Sequence, residues 1–258
     1  MLEDDFTYVI RKAFKGLELA PAEAAARAGL AEKDVLAFSR GDFSADIARK
    51  LAPALGLDPE ALANHAHYHP QPITLPEIQR LDLPFDGERV NAWLVRSGGT
   101  ALLFDTGNDR DSCLTALGGI RPDQIFITHG HRDHIGGNAS FEGIPIHGPE
   151  IPRTTPVAAG DSHTCGSLVI RAVDLSGHHT PQVGYLIEGL ELPVLVTGDA
   201  LFAGSMGGCP TRERYQHALA RLDDVLAPLP DTTVLLPGHG PATTLGEERR
   251  SNPFLSAR

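Results

Sequence analysis

The residues with the clearest potential for chemistry lie in the stretch Ile125 to Asn138, IFITHGHRDHIGGN. An apolar run, Gln124 to Thr128, is predicted to be a strand and leads directly into three histidines and an aspartate. These are His129, His131, Asp133 and His134. The first two histidines can point at one position on an extended or turning backbone, and the last two residues begin a predicted helix. Because imidazole nitrogens and carboxylate oxygens bind divalent metals, this stretch predicts a metal site.

Three other candidate ligands follow apolar runs elsewhere in the chain, and a glycine directly precedes each of them. They are His178 after LVIRAVDLSG, Asp199 after LPVLVTG and His239 after TTVLLPG. Strands stacked in a sheet would bring such ends to a common edge. The seven ligands divide into two metal positions bridged by Asp199, because a carboxylate has two oxygens. One position is predicted to contain His129, His131 and His178, and the other Asp133, His134 and His239.

Four motifs in order, HGHRDH, SGHHTPQVGY, VTGDALFAGS and LLPGHGPATTLGEERRSNPF, resemble those of the metallo-β-lactamase superfamily. The resemblance extends from about residue 77 to the C terminus, and the last two motifs are most similar to the glyoxalase II-like branch of hydroxyacylglutathione hydrolases. It implies an α/β fold, with a four-layer αββα sandwich over residues 77–258. It also implies a metal-dependent hydrolase that cleaves a thioester of a small-molecule substrate.

The resemblance implies two divalent metal ions as cofactor. Zinc is the first expectation, and iron and manganese are alternatives, because these ligands suit all three metals. Two such ions would share a water molecule and lower its pKa toward about 7, which makes hydroxide available at neutral pH. Asp133 is the expected catalytic residue, which takes or orients the proton. A leaving thiolate, whose thiol has a pKa of about 8.5, can depart without a dedicated general acid.

Several residues outside the metal ligands are candidates for supporting roles. The family pattern of Gly-His followed by an aromatic residue selects His178 together with Tyr185, and the neighbouring His179 is the alternative ligand. Asp105, in LLFDTGN, is expected to hold a ligand imidazole by its second nitrogen, or else to stabilise a turn. Substrate contacts are expected from three residues, one of them aromatic and two able to bind a carboxylate. They are Tyr185, Arg249 and Arg250.

Other activities of the same fold remain alternatives. An aspartate at position 199, where classical β-lactamases have a cysteine or no ligand, argues against that activity. Mononuclear-iron persulfide dioxygenases share these motifs and would use His129, His178 and Asp199. Their GRTDF run is replaced here by GSMGGCPT, a departure that also removes part of the usual glutathione-thioesterase loop. A lactonase is the third alternative.

Residues 1–66 have the periodic apolar positions of five short helices and resemble the helix-turn-helix domain of phage-repressor-type regulators. A metal- or thiol-sensing transcription regulator is therefore an alternative from another class. Nucleic-acid binding is nevertheless not expected, because residues 1–66 contain 8 Lys and Arg against 11 Asp and Glu. Residues 67–76 are predicted to be a linker. Its neighbourhood includes the histidines of HAHYH, for which a solvated extended segment is expected rather than a second metal site.

The composition of the 258 residues limits the remaining possibilities. A net charge of −11 would repel nucleic acid and anionic membranes over most of the surface. No apolar run approaches the roughly 20 residues that would span a bilayer. Cys113, Cys165 and Cys209 lie far apart and form no CxxC motif, which is typical of a reducing compartment, so a cytoplasmic protein is expected. The sequence predicts no particular oligomeric state.

Overall fold

The computed structural model describes residues 1–255, so the last three residues of the predicted 77–258 domain lie outside the described part. Its strands form two six-stranded sheets. In spatial order, the first sheet contains β1 (Ile78–Phe85), β2 (Glu88–Ser97), β3 (Thr100–Phe104), β4 (Gln124–Phe126), β5 (Ile146–Gly148) and β6 (Thr155–Pro156). The second sheet contains β12 (Thr243–Thr244), β11 (Val234–Pro237), β10 (Val194–Gly198), β9 (Val183–Glu188), β8 (Leu168–Asp174) and β7 (Ser162–Cys165).

Parallel strand pairs in each sheet place the metal-binding motifs at one edge. In the first sheet β3 pairs with β4, and Phe104 lies opposite Phe126. In the second sheet β10 pairs with β11, and Gly198 lies opposite Pro237. Parallel strands have their carboxyl ends at the same edge of a sheet. The segments that follow β3 and β4 therefore begin at the same edge of the first sheet. Those that follow β10 and β11 begin at the same edge of the second sheet.

Hydrophobic residues on both faces of each sheet produce a layered architecture. Between the sheets, the rings of Phe104, Phe126 and Tyr185 pack with centroids 5.3–5.8 Å apart. On the outer face of the first sheet, α6 (Ser112–Leu117) buries Leu117 against strand residues. On the outer face of the second sheet, α8 (Arg212–Leu226) buries its apolar residues in a cluster with strand residues. The resulting αββα sandwich confirms the predicted fold class, that of the metallo-β-lactamases.

The N-terminal helices pack against the same outer face as α8. They are α1 (Phe6–Leu17), α2 (Pro21–Ala28), α3 (Glu32–Ser39), α4 (Ala45–Leu51) and α5 (Pro59–Ala63). The Asp5 side chain caps α1 by accepting hydrogen bonds from the backbone N–H groups of Thr7 and Tyr8. Their buried residues form one hydrophobic cluster with α8 and with Leu195 and Leu235 of the second sheet. The helical segment is present as predicted, whereas its helix-turn-helix identity and its boundary at residue 66 stay predictions.

The predicted strand at Gln124 and the five predicted N-terminal helices are present in the structure. The strand expected to run to Thr128 ends at Phe126, because the Thr128 backbone N–H donates to the Asp105 side chain instead of continuing the ladder. No sequence pattern predicted β6, β7 and β12, which are two to four residues long and mostly polar. Two further helices are α7 (Arg132–Ile135), which contains two candidate ligands, and α9 (Leu245–Ser251).

The histidine-rich segment before β1 does not have the extended, solvated form that was expected. His65–His67 forms a 3₁₀ turn, and the His65 ring is buried with its Nε2 donating to the Gly204 carbonyl. The Tyr68 hydroxyl donates to the buried carboxylate of Glu248. The expectation was wrong for His65, because tertiary packing against residues far along the chain outweighs its polar character, whereas His67 and His69 are exposed as expected. Within residues 1–255, no helix combines the length and apolar character needed to cross a membrane.

Replacement of Gly16 by alanine is expected to destabilise the protein by about 1–3 kcal/mol, because the added Cβ would lie 2.3 Å from the Tyr215 ring of α8. Alanine would otherwise favour the helix by about 1 kcal/mol, so a loss of stability identifies the α1–α8 contact as the cause. Urea denaturation measures the free energy of unfolding. The control is Lys33→Ala at an exposed position of α3, with an expected change below about 0.5 kcal/mol. Wild-type stability in Gly16→Ala would contradict this close packing.

Candidate metal centre

The seven predicted ligands converge in two groups at the common edge of the sheets. Within each group the donor atoms lie within 4.8 Å of one another, and Asp199 belongs to both groups. The three-histidine cluster contains His129, His131, His178 and Asp199. The two-histidine cluster contains Asp133, His134, Asp199 and His239. The histidines around residue 67 belong to neither group, and within residues 1–255 these are the groups close enough to share a metal ion.

The spacing of the three-histidine cluster suits a tetrahedral metal. His131 Nδ1 lies 3.0 Å from His129 Nε2 and 3.1 Å from His178 Nε2. Asp199 Oδ2 lies 3.5 Å from His178 Nε2 and 3.8 Å from His129 Nε2. A tetrahedron with metal–ligand bonds of about 2.0–2.1 Å has edges of about 3.3 Å. The four donor atoms therefore stand where they could bind one ion.

The two-histidine cluster has similar dimensions. His239 Nε2 lies 3.3 Å from Asp133 Oδ2 and 3.6 Å from Asp199 Oδ2. His134 Nε2 lies 3.6 Å from Asp133 Oδ2 and 3.3 Å from Asp199 Oδ1. The two oxygens of Asp199 thus face different histidines, as a bridging carboxylate would require.

Two buried polar atoms at the centre indicate that a cation belongs there. Among the described residues, His134 Nε2 and Asp199 Oδ1 are buried without a well-directed hydrogen bond, although they lie 3.3 Å apart. Buried polar groups are normally satisfied, and a metal ion would satisfy both atoms. A side chain at Gly238 would also intrude on the cluster, since its Cβ would lie 2.2 Å from Asp199 Oδ1. The residues therefore fit a pair of divalent ions.

Hydrogen bonds to the second ring nitrogen orient four of the imidazoles. His134 Nδ1 donates to Asp105 at 2.7 Å, and His129 Nδ1 to the Thr128 hydroxyl at 3.0 Å. The Nδ1 atoms of His178 and His239 each donate, at 2.8 Å, to a backbone carbonyl. These carbonyls belong to Gly208 and Arg89, respectively. Such partners fix the ring orientation, so that Nε2 is the nitrogen that faces the cluster.

Asp105 lies where the sequence placed it, beside a ligand imidazole. Its carboxylate accepts hydrogen bonds from His134, from the Thr128 backbone N–H and from the Thr128 hydroxyl. Its backbone has φ of 58°, a left-handed conformation that is uncommon for a non-glycine residue and costs energy. The side chain thus contacts a ligand imidazole, whereas its hydrogen bonds go to Thr128 and His134 and not to a local turn.

Burial keeps the histidines of the first cluster neutral. It lowers the pKa of His129 well below the ordinary value, and the charge of His134 acts in the same direction. Burial also lowers the pKa of His131, with neighbouring His178 adding to the effect. For His178, burial again lowers the pKa, and the positive charge of Lys12 contributes. Neutral imidazoles are the form that binds a metal.

In the two-histidine cluster the pKa values of the histidines are raised instead, so these imidazoles hold protons. Burial opposes protonation of His134, but the carboxylates of Asp199 and Asp105 outweigh it and raise the pKa of His134 well above its ordinary value. For His239, the hydrogen bond with Asp133 and the charge of Asp199 overcome burial and raise the pKa to about 9. Burial likewise opposes ionisation of Asp199, yet the surrounding histidines hold its pKa well below the usual range. Protons here occupy positions that metal ions could take.

The structure selects between the two adjacent histidines. His178 points into the three-histidine cluster, whereas Nδ1 of His179 donates to the carbonyl of Pro181 at 2.9 Å. The His179 ring nevertheless lies beside the cluster, with its centroid 4.8 Å from that of His131. Because neighbouring side chains on an extended segment point in opposite directions, only one of the pair joins the cluster.

The expected substrate contacts need correction. The prediction for Tyr185 was wrong, because its ring is fully buried between the sheets and its hydroxyl donates to the Ile127 carbonyl. Arg249 was also wrongly assigned, since its guanidinium forms an ion pair with Asp231 and donates to two backbone carbonyls near the end of α8. Arg250 lines a groove with Glu60 and residues of the linker, so it is not assigned to the metal centre.

Sequence reasoning missed several residues that surround the metal ligands. Asn91, on β2, donates from its amide to the carbonyls of Pro237 and Gly240 on both sides of His239. The ring of Phe202 packs edge-on against His239, with centroids 5.8 Å apart. Lys12 lies over that phenylalanine ring. No periodicity or spacing marks these residues, because their roles arise from contacts between distant parts of the chain.

Comparisons with known proteins agree with this geometry. Residues 85–168 match a model of the metallo-beta-lactamase superfamily. The hydroxyacylglutathione hydrolase GloC of Haemophilus influenzae is 28% identical over 210 residues, which cover 70% of this chain and 94% of that protein.

Two solved structures share the fold. The BLEG-1 B3 metallo-beta-lactamase has a TM-score of 0.58 at 27% identity, covering 69% of this chain and 99% of its own. The structure of TTHA1623 in a di-iron-bound form has a TM-score of 0.51 at 26% identity, covering 73% of this chain and 100% of its own. The family model, the relative and the shared fold together support placing this chain in the metallo-β-lactamase superfamily.

Proposed function

We propose that this protein is a hydrolase that uses a dinuclear metal centre to cleave a thioester, with a hydroxyacylglutathione-like compound as substrate. The observation that supports it most strongly is the convergence of seven donor side chains into two clusters sharing Asp199. The similarity to a hydroxyacylglutathione hydrolase favours a thioester as substrate. We propose zinc as the native metal, with iron and manganese as alternatives, because imidazole and carboxylate ligands suit all three.

A dinuclear centre is favoured over a single iron by the second donor set. A mononuclear-iron dioxygenase would use His129, His178 and Asp199 alone. Here Asp133, His134 and His239 provide a complete additional cluster, with separations of 3.3–3.6 Å around a shared carboxylate. Asp105 further supports His134 by a hydrogen bond, and a mononuclear site that does not use His134 would not require this contact.

The chemistry follows from the residues that surround the centre. When bound, two divalent ions would supply Lewis acidity and a water of lowered pKa. Asp133 is held by His239, with its Oδ2 3.3 Å from Nε2, and stands at the edge of the two-histidine cluster. Its carboxylate is positioned to accept or orient the proton of the attacking water. A thiol leaving group has a pKa of about 8.5, so it departs as thiolate without protonation by another residue.

Metal analysis of the purified protein is expected to find about two divalent ions per chain. Asp199→Ala should lose at least one of them together with turnover, because both clusters use this carboxylate. Plasma mass spectrometry measures the metal content. Asp224→Ala removes an exposed carboxylate of α8 and serves as the matched control, with metal content unchanged. Two retained ions in Asp199→Ala would rule out the shared-carboxylate centre.

Metal binding at the two-histidine cluster is expected to release protons at pH 7. The pKa of His239 is raised to about 9, so the imidazole is protonated below this pH and a metal must displace the proton. The apparent affinity should therefore rise by up to about tenfold per pH unit from pH 7 toward 9. Calorimetry in two buffers of different ionisation enthalpy counts the released protons. His239→Gln should release fewer, and equal wild-type affinity at pH 7 and 9 would contradict the assignment.

Assays of S-lactoylglutathione, a lactone and glutathione persulfide, run side by side, should show preferential turnover of the thioester. Asp199→Ala provides the baseline for contaminating activity. Preferential oxidation of the persulfide with about one iron per chain would favour the dioxygenase. Failure to turn over any of the three, together with salt-sensitive retention on DNA, would instead favour a regulator.

A further inference from the structure

The first residues of the chain lie against the metal centre. Glu3 Oε1 is 3.9 Å from His239 Nδ1, and a Cβ on Gly240 would lie 3.2 Å from the Glu3 backbone nitrogen. The helix α1 that follows therefore starts beside one of the metal-binding loops. The N-terminal helical segment thus contributes part of the surroundings of the site.

Lys12, on α1, contacts both ends of the segment that follows Asp199. A Cβ on Gly208 would lie 3.7 Å from Lys12 Cγ, and the Gly208 carbonyl accepts the hydrogen bond that orients His178. At the other end, Lys12 Nζ lies 5.0 Å from the ring centroid of Phe202, which itself packs against His239. Lys12 therefore lies between Gly208, which orients His178, and Phe202, which packs against His239.

Lys12 provides a positive charge that the segment following Asp199 lacks. Residues 204–211, GSMGGCPT, contain no cationic side chain, so this segment cannot itself bind an anionic substrate group by charge. Lys12 forms an ion pair with Asp4, and their side chains are 17% and 7% exposed. Asp4 thereby holds the ammonium in place, and the Lys12 side chain as a whole retains a small exposed fraction. A lysine ammonium has three donors, so it can bind a second carboxylate without releasing the first.

We propose that Lys12 is a specificity-determining residue that binds a carboxylate of the substrate beside the metal centre. This inference rests on the proposed function, because glutathione thioesters carry two carboxylates. The cation is supplied by the N-terminal helix in place of the loop that follows Asp199. The helical segment accordingly selects anionic thioesters, in addition to packing against the sandwich.

The test compares an anionic and a neutral thioester, S-lactoylglutathione and S-lactoyl-N-acetylcysteamine, with the zinc-loaded full chain. Lys12→Met should raise KM for the anionic substrate by about 10- to 100-fold and leave kcat nearly unchanged, because a charge-assisted hydrogen bond is lost. KM for the neutral substrate should stay within about twofold. Lys12→Arg, which keeps the charge, should restore most of the preference.

Arg11→Met is the matched control, since it removes the neighbouring exposed charge, which stacks on Tyr8. It should leave both KM values unchanged. An equal rise in KM for both substrates in Lys12→Met, or an equal effect of Arg11→Met, would overturn the proposal, because a structural or general electrostatic role does not discriminate between substrates.

A failure of the proposed function is distinguished by a binding measurement. If the wild type hydrolyses neither thioester, thioesterase activity is refuted, and Lys12 is then judged by calorimetric binding of glutathione to the zinc-loaded protein. Binding that Lys12→Met weakens at least about tenfold, and that Arg11→Met preserves, supports the carboxylate site. Absent wild-type binding, or equal binding in wild type and Lys12→Met, overturns it.

Discussion

The burial of the Asp199 carboxylate is the constraint on which the rest of the site depends. The side chain is almost inaccessible to solvent, and four imidazoles lie within 3.8 Å of its oxygens. An isolated buried charge would be very unfavourable, so this carboxylate requires positive charge on both sides. Protonated His134 and His239 supply part of it in the protein alone. Because the carboxylate has two oxygens, the same requirement defines two adjacent cation positions.

The two sheets hold these groups by contacts that cross between them. Gly198, which precedes Asp199, has a φ of 50°, and a Cβ there would lie 2.6 Å from the Thr128 hydroxyl. Asn91 reaches from the first sheet to carbonyls on both sides of His239. The ligand loops therefore cannot shift independently. This rigidity suits a metal site, in which displacements of a few tenths of an ångström change coordination.

The segment before β1 and the segment following Asp199 share a second buried anchor. Glu248 is fully buried and accepts hydrogen bonds from the Gly204 backbone N–H, from Tyr68 and from the Asn252 amide. One carboxylate thus joins the segment before β1, the loop that leaves the metal centre and the C-terminal helix α9. The packing of the segment before β1 is consequently connected to the loop that leaves the metal centre.

The sequence by itself determined the ligand types, their grouping and the fold class. The spacing in HGHRDH and the glycine-preceded ligands at strand ends are local patterns, and local patterns are readable from the chain. It did not determine that Tyr185 is buried between the sheets or that Arg249 pairs with Asp231. Nor did it indicate that Lys12 lies over Phe202. Only the tertiary structure decided these positions, because they depend on how residues about 20 to 190 positions apart pack together, and neither hydrophobic periodicity nor motif spacing encodes such contacts.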